Sequence, residues 1–362
     1  MTRIVYGVSG EGSGHSSRAR VVLEHLVQQG HDVRVVTYDR GLRALQGDFH
    51  VHACEGLSIA TVDNEVSITK TLTQNVAKLK GGWRMARDVK REAFERFDPE
   101  VVFTDFEPVT AWLAKHFRLP LISIDNQHRM RYMDVPIPAE LAGAARVTRG
   151  VIRSIVPRPD QALVTTFWRG RLRNDRTFLF APLLRKVVRE LEPTDGDHVL
   201  VYFTHGFDSA LDRLRAEPGQ SFHVYGTGRV GQEGNLRFEP PSGDGFLRDL
   251  AGCRAVVATA GFTLMTEALH LRKPMLALPM AGQFEQELNG LLLEQGGLGA
   301  QARQLDEATL PRFLAHLPAY GPALAEYDSG DESALLAHVD RLTRNGGEGA
   351  RAAREHRRRS AE

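Results

Sequence analysis

Ten short apolar runs alternate with longer amphipathic stretches along this chain, and that alternation leaves few folds open. RIVYGVS, HDVRVVTY, EVVFTDF, PLISID and QALVTTF read as buried strands. Between several of them lie stretches of helical spacing such as SRARVVLEHLVQQG and PVTAWLAKHF. Strands with no polar face, joined through helices, form a parallel sheet covered on both sides. The pattern restarts near residue 198 with HVLVYFTHG, SFHVYGTG, NLRFEP, AVVATAG and PMLALPM. At 362 residues the chain exceeds the roughly 100–200 residues of one domain. FLFAPLLRKVVRELEPTDGD, with Pro182, Pro193 and Gly196, reads as the connector. The expectation is an α/β fold of two Rossmann-like, doubly wound domains facing each other across a cleft. Their spans are 1–184 and 185–330, followed over 331–362 by a helix packing back on the first domain and a basic tail. That tail, ARAAREHRRRSAE, reads as frayed helix or disorder.

Composition excludes several classes. With 46 basic and 45 acidic residues the chain is almost neutral, so nothing global argues for a nucleic-acid partner. Cys54 and Cys253 lie far apart, in no metal-ligand spacing, which argues against a disulfide framework or a zinc site. No window approaches the ~18 consecutive apolar residues of a membrane-spanning helix, and MTR leads directly into a strand. A soluble cytoplasmic protein is expected.

Between the first strand and the first helix stands GEGSGHSSR. Gly10, Gly12 and Gly14 permit a tight turn whose backbone N–H groups face a ligand, next to a helix N-terminus that favours anions. The spacing is not the G-x-G-x-x-G of a dehydrogenase, and it lacks the Gly-Lys-Ser/Thr of a P-loop. His15 follows instead, and histidine, with an ordinary pKa of about 6.5, suits a general base. Such a base needs a carboxylate to fix its tautomer. Asp105 in VVFTDF ends a strand of the same sheet, with Glu107 as the reserve candidate. The alternative is that Asp105 only caps the helix starting near Pro108.

The second half carries ATAGFTLMTEALHLRKPMLALPMAGQFEQELNG. Gly261 at a helix start allows a diphosphate to approach, and Glu267 further along can accept from both hydroxyls of a ribose. Glu285 and Gln286, on the next loop, can reach the hydroxyls of a sugar. Asp195-Gly196-Asp197 has the form of a D-x-D metal motif but reads as turn chemistry, so no metal is assigned. Residues 127–186 are rich in arginine interleaved with Met130, Met133, Phe167, Trp168 and Phe178. Either a patch for anionic lipid headgroups or a solvated loop with snorkelling arginines accounts for them.

To about residue 345 the chain resembles the GT-B glycosyltransferases. The similarity is to the inverting branch, which includes the peptidoglycan N-acetylglucosaminyltransferase and the UDP-glycosyltransferases. GEGSGHSSR and VVFTDF resemble its acceptor-facing glycine loop and the segment with the histidine's aspartate partner. TAGFTLMTEAL and GQFEQELNG resemble its donor diphosphate-ribose segment and its sugar-reading loop. The resemblance implies His15 and Asp105 as catalytic pair, Gly261, Phe262 and Thr263 around the diphosphate, Glu267 at the ribose, and Glu285 with Gln286 at the hexose. Gly12 and Gly14 belong with the donor-facing set, as do Thr204 and Gly206 in THG and Gly226 in YGTG. The base would lie near residues 240–246. Glu285 stands where the family usually has Asp or Gln, and PPSGDG departs from its uracil-binding loop. Retaining enzymes carry paired glutamates whose spacing would place partners for Glu285 and Glu287 at Leu293 and Gln295, so inversion is implied. The implied partners are a UDP-sugar and a small-molecule, glycan or lipid-linked acceptor, without metal or other cofactor. A UDP-sugar epimerase of GT-B-like architecture and a non-catalytic nucleotide-sugar-binding protein are the alternatives. A nicotinamide enzyme is weaker: Asp39 ends the second strand as a ribose ligand would, but the glycine loop is wrong.

Overall fold

The computed structural model describes residues 1–56, 61–62, 65–66, 82–203, 208–240 and 243–359. The chain divides into two compact units. One comprises residues 1–60, 68–183 and 330–362, the other 61–67 and 184–329.

In the first unit the strands are β1 (Arg3–Val8), β2 (Asp32–Thr37), β3 (Val51–Ala53), β4 (Val101–Asp105), β5 (Leu121–Asp125), β6 (Gln161–Thr165) and β7 (Thr177–Phe180). They form one sheet in the order β3-β2-β1-β4-β5-β6-β7, parallel throughout. Helices α1 (Gly14–Gln28), α2 (Pro108–His116) and α3 (Ala142–Ile155) belong to its crossovers. β4 and β5 are buried along their whole length, including the polar Thr104, Asp105, Ser123 and Asp125. One core cluster joins Ile4, Tyr6 and Val8 of β1 to Ala19, Val22, Leu23 and Leu26 of α1. Another joins Val5 and Val102 to Ala111 and Ala114 of α2. The sheet therefore carries apolar layers on both faces.

The second unit repeats the plan with β8 (His198–Tyr202), β9 (Ser221–Tyr225), β10 (Gly231–Glu233), β11 (Leu236–Phe238), β12 (Ala255–Ala258), β13 (Met275–Ala277) and β14 (Gly299–Gln301). The order is β10-β11-β9-β8-β12-β13-β14, with only β10 antiparallel to its neighbour. Helices α4 (Gly243–Gly252), α5 (Phe262–His270) and α6 (Phe284–Gln295) follow in chain order. All ten expected strands are present, trimmed by a residue or more where the runs pass into loops.

Two expectations need correction. The stretch from Phe178 is not connector from its start, because Thr177–Phe180 completes the first sheet beside β6. The basic tail is neither disordered nor wholly solvated: α7 (Ser333–Arg359) is helical through Arg359, with a break at residues 344–347. Leu335, Val339, Leu342 and Ala350 pack into the β1 core, Thr2 donates to the Thr343 carbonyl, and Arg357 pairs with the buried Asp160. A run of arginines reads as solvated because sequence does not show which carboxylate awaits it. No described helix is long and apolar enough to cross a membrane.

Candidate active site

In a doubly wound sheet, ligands bind at the carboxyl ends of the strands, where consecutive crossovers leave in opposite directions. In the first unit that point lies between β1 and β4, whose register pairs Val8 with Asp105. The loop after β1 is tied to it by a hydrogen bond from Ser9 N to the Asp105 carbonyl at 2.9 Å. A Cβ on Gly10 would sit 2.1 Å from the Tyr38 carbonyl oxygen, so only glycine allows the loop to pass there. Gly12 turns the chain at φ +73° and α1 begins at Gly14, one residue before His15.

His15 Nδ1 lies 2.7 Å from Asp105 Oδ1. Two lone pairs at that distance would repel, so Nδ1 carries the proton and Nε2 is left as the basic nitrogen. His15 retains 12% side-chain exposure while Asp105 has none. Arg18, one helical turn on, grips the same carboxylate, Nε to Oδ2 at 2.7 Å and Nη2 to Oδ1 at 2.5 Å. Its Nη1 donates to Asn126 Oδ1 at 3.2 Å, and its Nη2 stands 2.9 Å from His15 Nδ1. Burial disfavours the Asp105 charge, but Arg18 and His15 together hold its pKa below the ordinary carboxylate value. The carboxylate is thus held in its ionised form.

Asp105 is not the helix cap. That role falls to Glu107, whose carboxylate accepts from Val109 N and Thr110 N, each at 2.7 Å, and from Thr110 Oγ1 at 2.6 Å. Glu107 is fully buried, and burial raises its pKa. The reserve candidate is therefore structural. Phe106 between the two acids has φ +57°, a conformation L-residues seldom adopt, and its ring stacks on His15 at 6.4 Å and 12°. Sequence reasoning missed Arg18, Phe106 and Asn126. The i, i+3 offset of His15 and Arg18, which puts both on one helix face, was the signal for the first of these.

In the second unit the reversal lies between β8 and β12, where Tyr202 pairs with Ala258. The loop after β12 leads to Gly261, the N-cap of α5, which has no side-chain cap. A Cβ there would meet nothing within 4 Å, so the space beside the helix start is open. Phe262 is buried and Thr263 half-buried. Glu267 is buried, two turns into the helix, and Arg185 clasps it, Nε to Oε1 at 2.7 Å and Nη2 to Oε2 at 2.8 Å. Asn289 Nδ2 donates to the Ala260 carbonyl at 2.8 Å, fixing α6 against that loop. Gln286 closes its own loop, accepting from Met280 N at 3.0 Å and donating to Gln283 Oε1 at 2.8 Å. Glu285 stands in the first turn of α6, half-buried. Gly226 turns at φ +86° after β9, and its Cβ would lie 2.3 Å from the Phe203 carbonyl oxygen. Thr204 and Gly206, like part of the expected base-binding loop, lie outside the described residues.

Both cysteines are buried free thiols, and residues 195–197 form a loop in which Gly196 packs against the Gly252 carbonyl. Among the described residues, His198, His223 and Asp249 are close enough together to hold a metal ion. Their polar atoms are engaged with each other: His223 Nδ1 meets Asp249 Oδ2 at 2.8 Å and His198 Nε2 the Asp249 carbonyl at 3.0 Å.

The family model of glycosyl transferase family 1 matches residues 2–318. The chain belongs to that family. A Methanosarcina acetivorans protein named an uncharacterized glycosyltransferase is 23% identical over 347 residues, covering 86% of this chain and 88% of its own. Among solved structures, the glycotransferase of kitacinnamycin superposes with a TM-score of 0.61 at 17% identity, covering 98% of both chains. The spinosyn rhamnosyltransferase, solved with thymidine diphosphate, gives 0.63 at 14% identity over 94% of this chain and all of its own. Two parallel-dominated α/β sheets with these neighbours are the GT-B fold, and the enzyme is a glycosyltransferase.

Proposed function

We propose that this family 1 glycosyltransferase inverts configuration, moving a sugar from a UDP- or TDP-sugar to an acceptor hydroxyl or amine with His15 as general base. The observation that carries the reading is the His15–Asp105 contact at 2.7 Å, which protonates Nδ1 and leaves Nε2 to take the acceptor's proton. As the acceptor oxygen or nitrogen bonds to the anomeric carbon, the bond to the diphosphate breaks and the imidazole becomes positive beside an ionised carboxylate. Arg18 keeps that carboxylate fixed and charged.

The donor belongs to the second unit. The uncapped α5 amides after Gly261 suit a diphosphate, whose growing negative charge they would stabilise as it leaves. Arg185 occupies two of the roughly four acceptor positions of Glu267, which leaves the others for ribose hydroxyls. The spinosyn rhamnosyltransferase, solved with thymidine diphosphate and also with spinosyn aglycone, supports a nucleoside diphosphate donor and a separate acceptor. Glu285 and Gln286 are the candidates to read the sugar, since the Gln286 amide keeps a donor and an acceptor position beyond its two loop bonds.

The test is calorimetric titration of UDP and TDP into the wild-type protein and into Glu267→Ala, with His15→Ala assayed for sugar transfer. Nucleotide binding lost with Glu267, and transfer lost with His15 while binding survives, is the expected result. Nucleotide binding indifferent to Glu267 would overturn the donor assignment.

A further inference from the structure

The first unit contains two adjoining cavities that the proposed transfer reaction does not use. The larger, about 560 Å³, is lined by Trp112 and Lys115 of α2, Arg153 of α3, Arg158 in the following loop, and Arg357 of α7. The smaller, about 140 Å³, adds Arg131 and Arg176 and shares Arg158 and Arg357 with the first. Six cations line the pair, and no lining residue is acidic. Asp160 lies behind them, fully buried and already engaged by Leu121 N and Arg357. Asp175 pairs with His356 and comes no nearer to Arg176 Nε than 3.9 Å.

The positive charge is undercompensated, and its effects are visible. Burial, with Arg357, Arg354 and Arg158 nearby, pulls Lys115 down to about 8 against the opposing effect of Asp160. Burial and the neighbouring Arg153 and Arg158 likewise lower Arg131. Two guanidinium groups also keep buried donors, Arg131 Nη1 and Arg176 Nε, with no hydrogen-bond partner among the described residues. A buried N–H without an acceptor is costly, and an oxyanion in the smaller cavity would remove that cost. The larger cavity has the size of an organic ligand site. Beside it the indole of Trp112 is 54% exposed, its orientation fixed by a bond from Nε1 to the Ser154 carbonyl at 2.9 Å.

From these observations we infer a binding site for an organic phosphate: the oxyanion sits among Arg131, Arg158, Arg176 and Arg357, and the organic portion lies in the larger cavity against Trp112. The arginine-rich segment at 127–186 thereby acquires a role that composition alone left open between a headgroup patch and solvated loops. The site rests on no residue of the proposed catalytic or donor machinery.

Phenyl phosphate is a suitable probe because it carries a phosphate and a flat apolar group but no nucleoside. Titrated into the wild-type chain at constant ionic strength, it should bind and change the tryptophan fluorescence. Binding should weaken about tenfold or more in the double variant Arg153→Glu, Arg158→Glu, two exposed positions, with UDP binding intact. The milder Arg153→Gln, Arg158→Gln pair should show the same trend, and it serves if the reversal disturbs folding. Trp112→Ala should remove the preference for phenyl phosphate over inorganic phosphate. Phosphatidylcholine vesicles with and without phosphatidic acid separate the two sources of such a group. Binding to the acidic vesicles that depends on the same arginines, without phenyl phosphate binding, would identify a lipid headgroup as the ligand. The inference is overturned if neither probe binds, if binding survives the arginine substitutions, or if sulfate competes as well as phenyl phosphate does.

Discussion

Each unit buries a carboxylate near the carboxyl ends of its sheet and holds it with an arginine fork, yet the two pairs differ in every further respect. Arg18 is itself buried, lies on the same helix as His15, and shares Asp105 with the imidazole. Arg185 is one-third exposed and precedes β8 of its sheet, and it holds Glu267 without the help of a histidine. The first arrangement fixes three groups in one protonation pattern. The second is a contact from which a hydroxyl-bearing ligand can take acceptor positions. On the proposed reading, the same kind of ion pair thus serves a proton transfer in one unit and ligand capture in the other.

The largest expected effect comes from removing the proton acceptor. His15→Ala should lower the transfer rate by about 10²- to 10⁴-fold, the usual contribution of a positioned base, while leaving UDP affinity unchanged. Asp105→Asn should approach the same loss, because an amide can present its NH₂ to Nδ1 and stabilise the wrong tautomer. Steady-state kinetics with a responsive acceptor would check both. Full activity in either variant would break the distinction drawn between the two pairs.

Next come the arginines themselves. Arg18→Met leaves Asp105 charged and buried with only His15 beside it, and should cost about 3–5 kcal/mol of stability in denaturant unfolding. Arg185→Met should cost less, about 1–2 kcal/mol, since its head group is partly hydrated in the wild type. Equal losses would show that the exposure of Arg185 does not matter.

Much of this was legible in the sequence, for physical reasons that also mark the limit. Strands buried on both faces, such as VVFTD and LISID, leave short runs in which apolar residues predominate. The short edge strands Val51–Ala53 and Gly299–Gln301 do not, being three residues long and half polar or small. Gly12, His15 and Asp105 stand out because a glycine loop and a strand end at a sheet reversal are positions fixed by topology. The partners are harder. Arg18 looks like any helix arginine, and Arg185 falls within the stretch that reads as connector, because which carboxylate a guanidinium meets depends on tertiary packing. Nor does sequence show that Gln286 also braces its own loop, through bonds to Met280 N and Gln283 Oε1.

His338 is a buried histidine with the guanidinium of Arg341 beside its ring. Arg341 Nη2 lies 2.9 Å from its Nδ1, the separation found between Arg18 and His15, while Nε2 bonds Gln161 Oε1 at 2.8 Å. Burial, and secondarily Arg341, lowers its pKa to about 4. The unfolded chain therefore binds a proton between pH ~6.5 and ~4 that the folded chain refuses. Stability is complete above that window and falls as the pH descends through it, by up to about 3 kcal/mol. His338→Gln should flatten the decline, measured as unfolding free energy against pH.

The smallest effects separate the two glycine turns. Gly12 has φ +73° and open space within 4 Å of where a methyl would stand, so Gly12→Ala introduces backbone strain and no clash. A loss of about 1 kcal/mol is expected, seen as a lower Tm. Gly261 has φ −69°, a value any residue adopts, and its surroundings are equally open. Gly261→Ala should therefore leave Tm unchanged. If a diphosphate approaches the α5 amides there, the added methyl occupies the space of an oxygen, and UDP or TDP binding should weaken several-fold, about 1 kcal/mol. An unchanged Tm with undiminished affinity would mean that the diphosphate does not lie over Gly261. The donor assignment would then rest on the Arg185–Glu267 pair, which Glu267→Ala tests by itself.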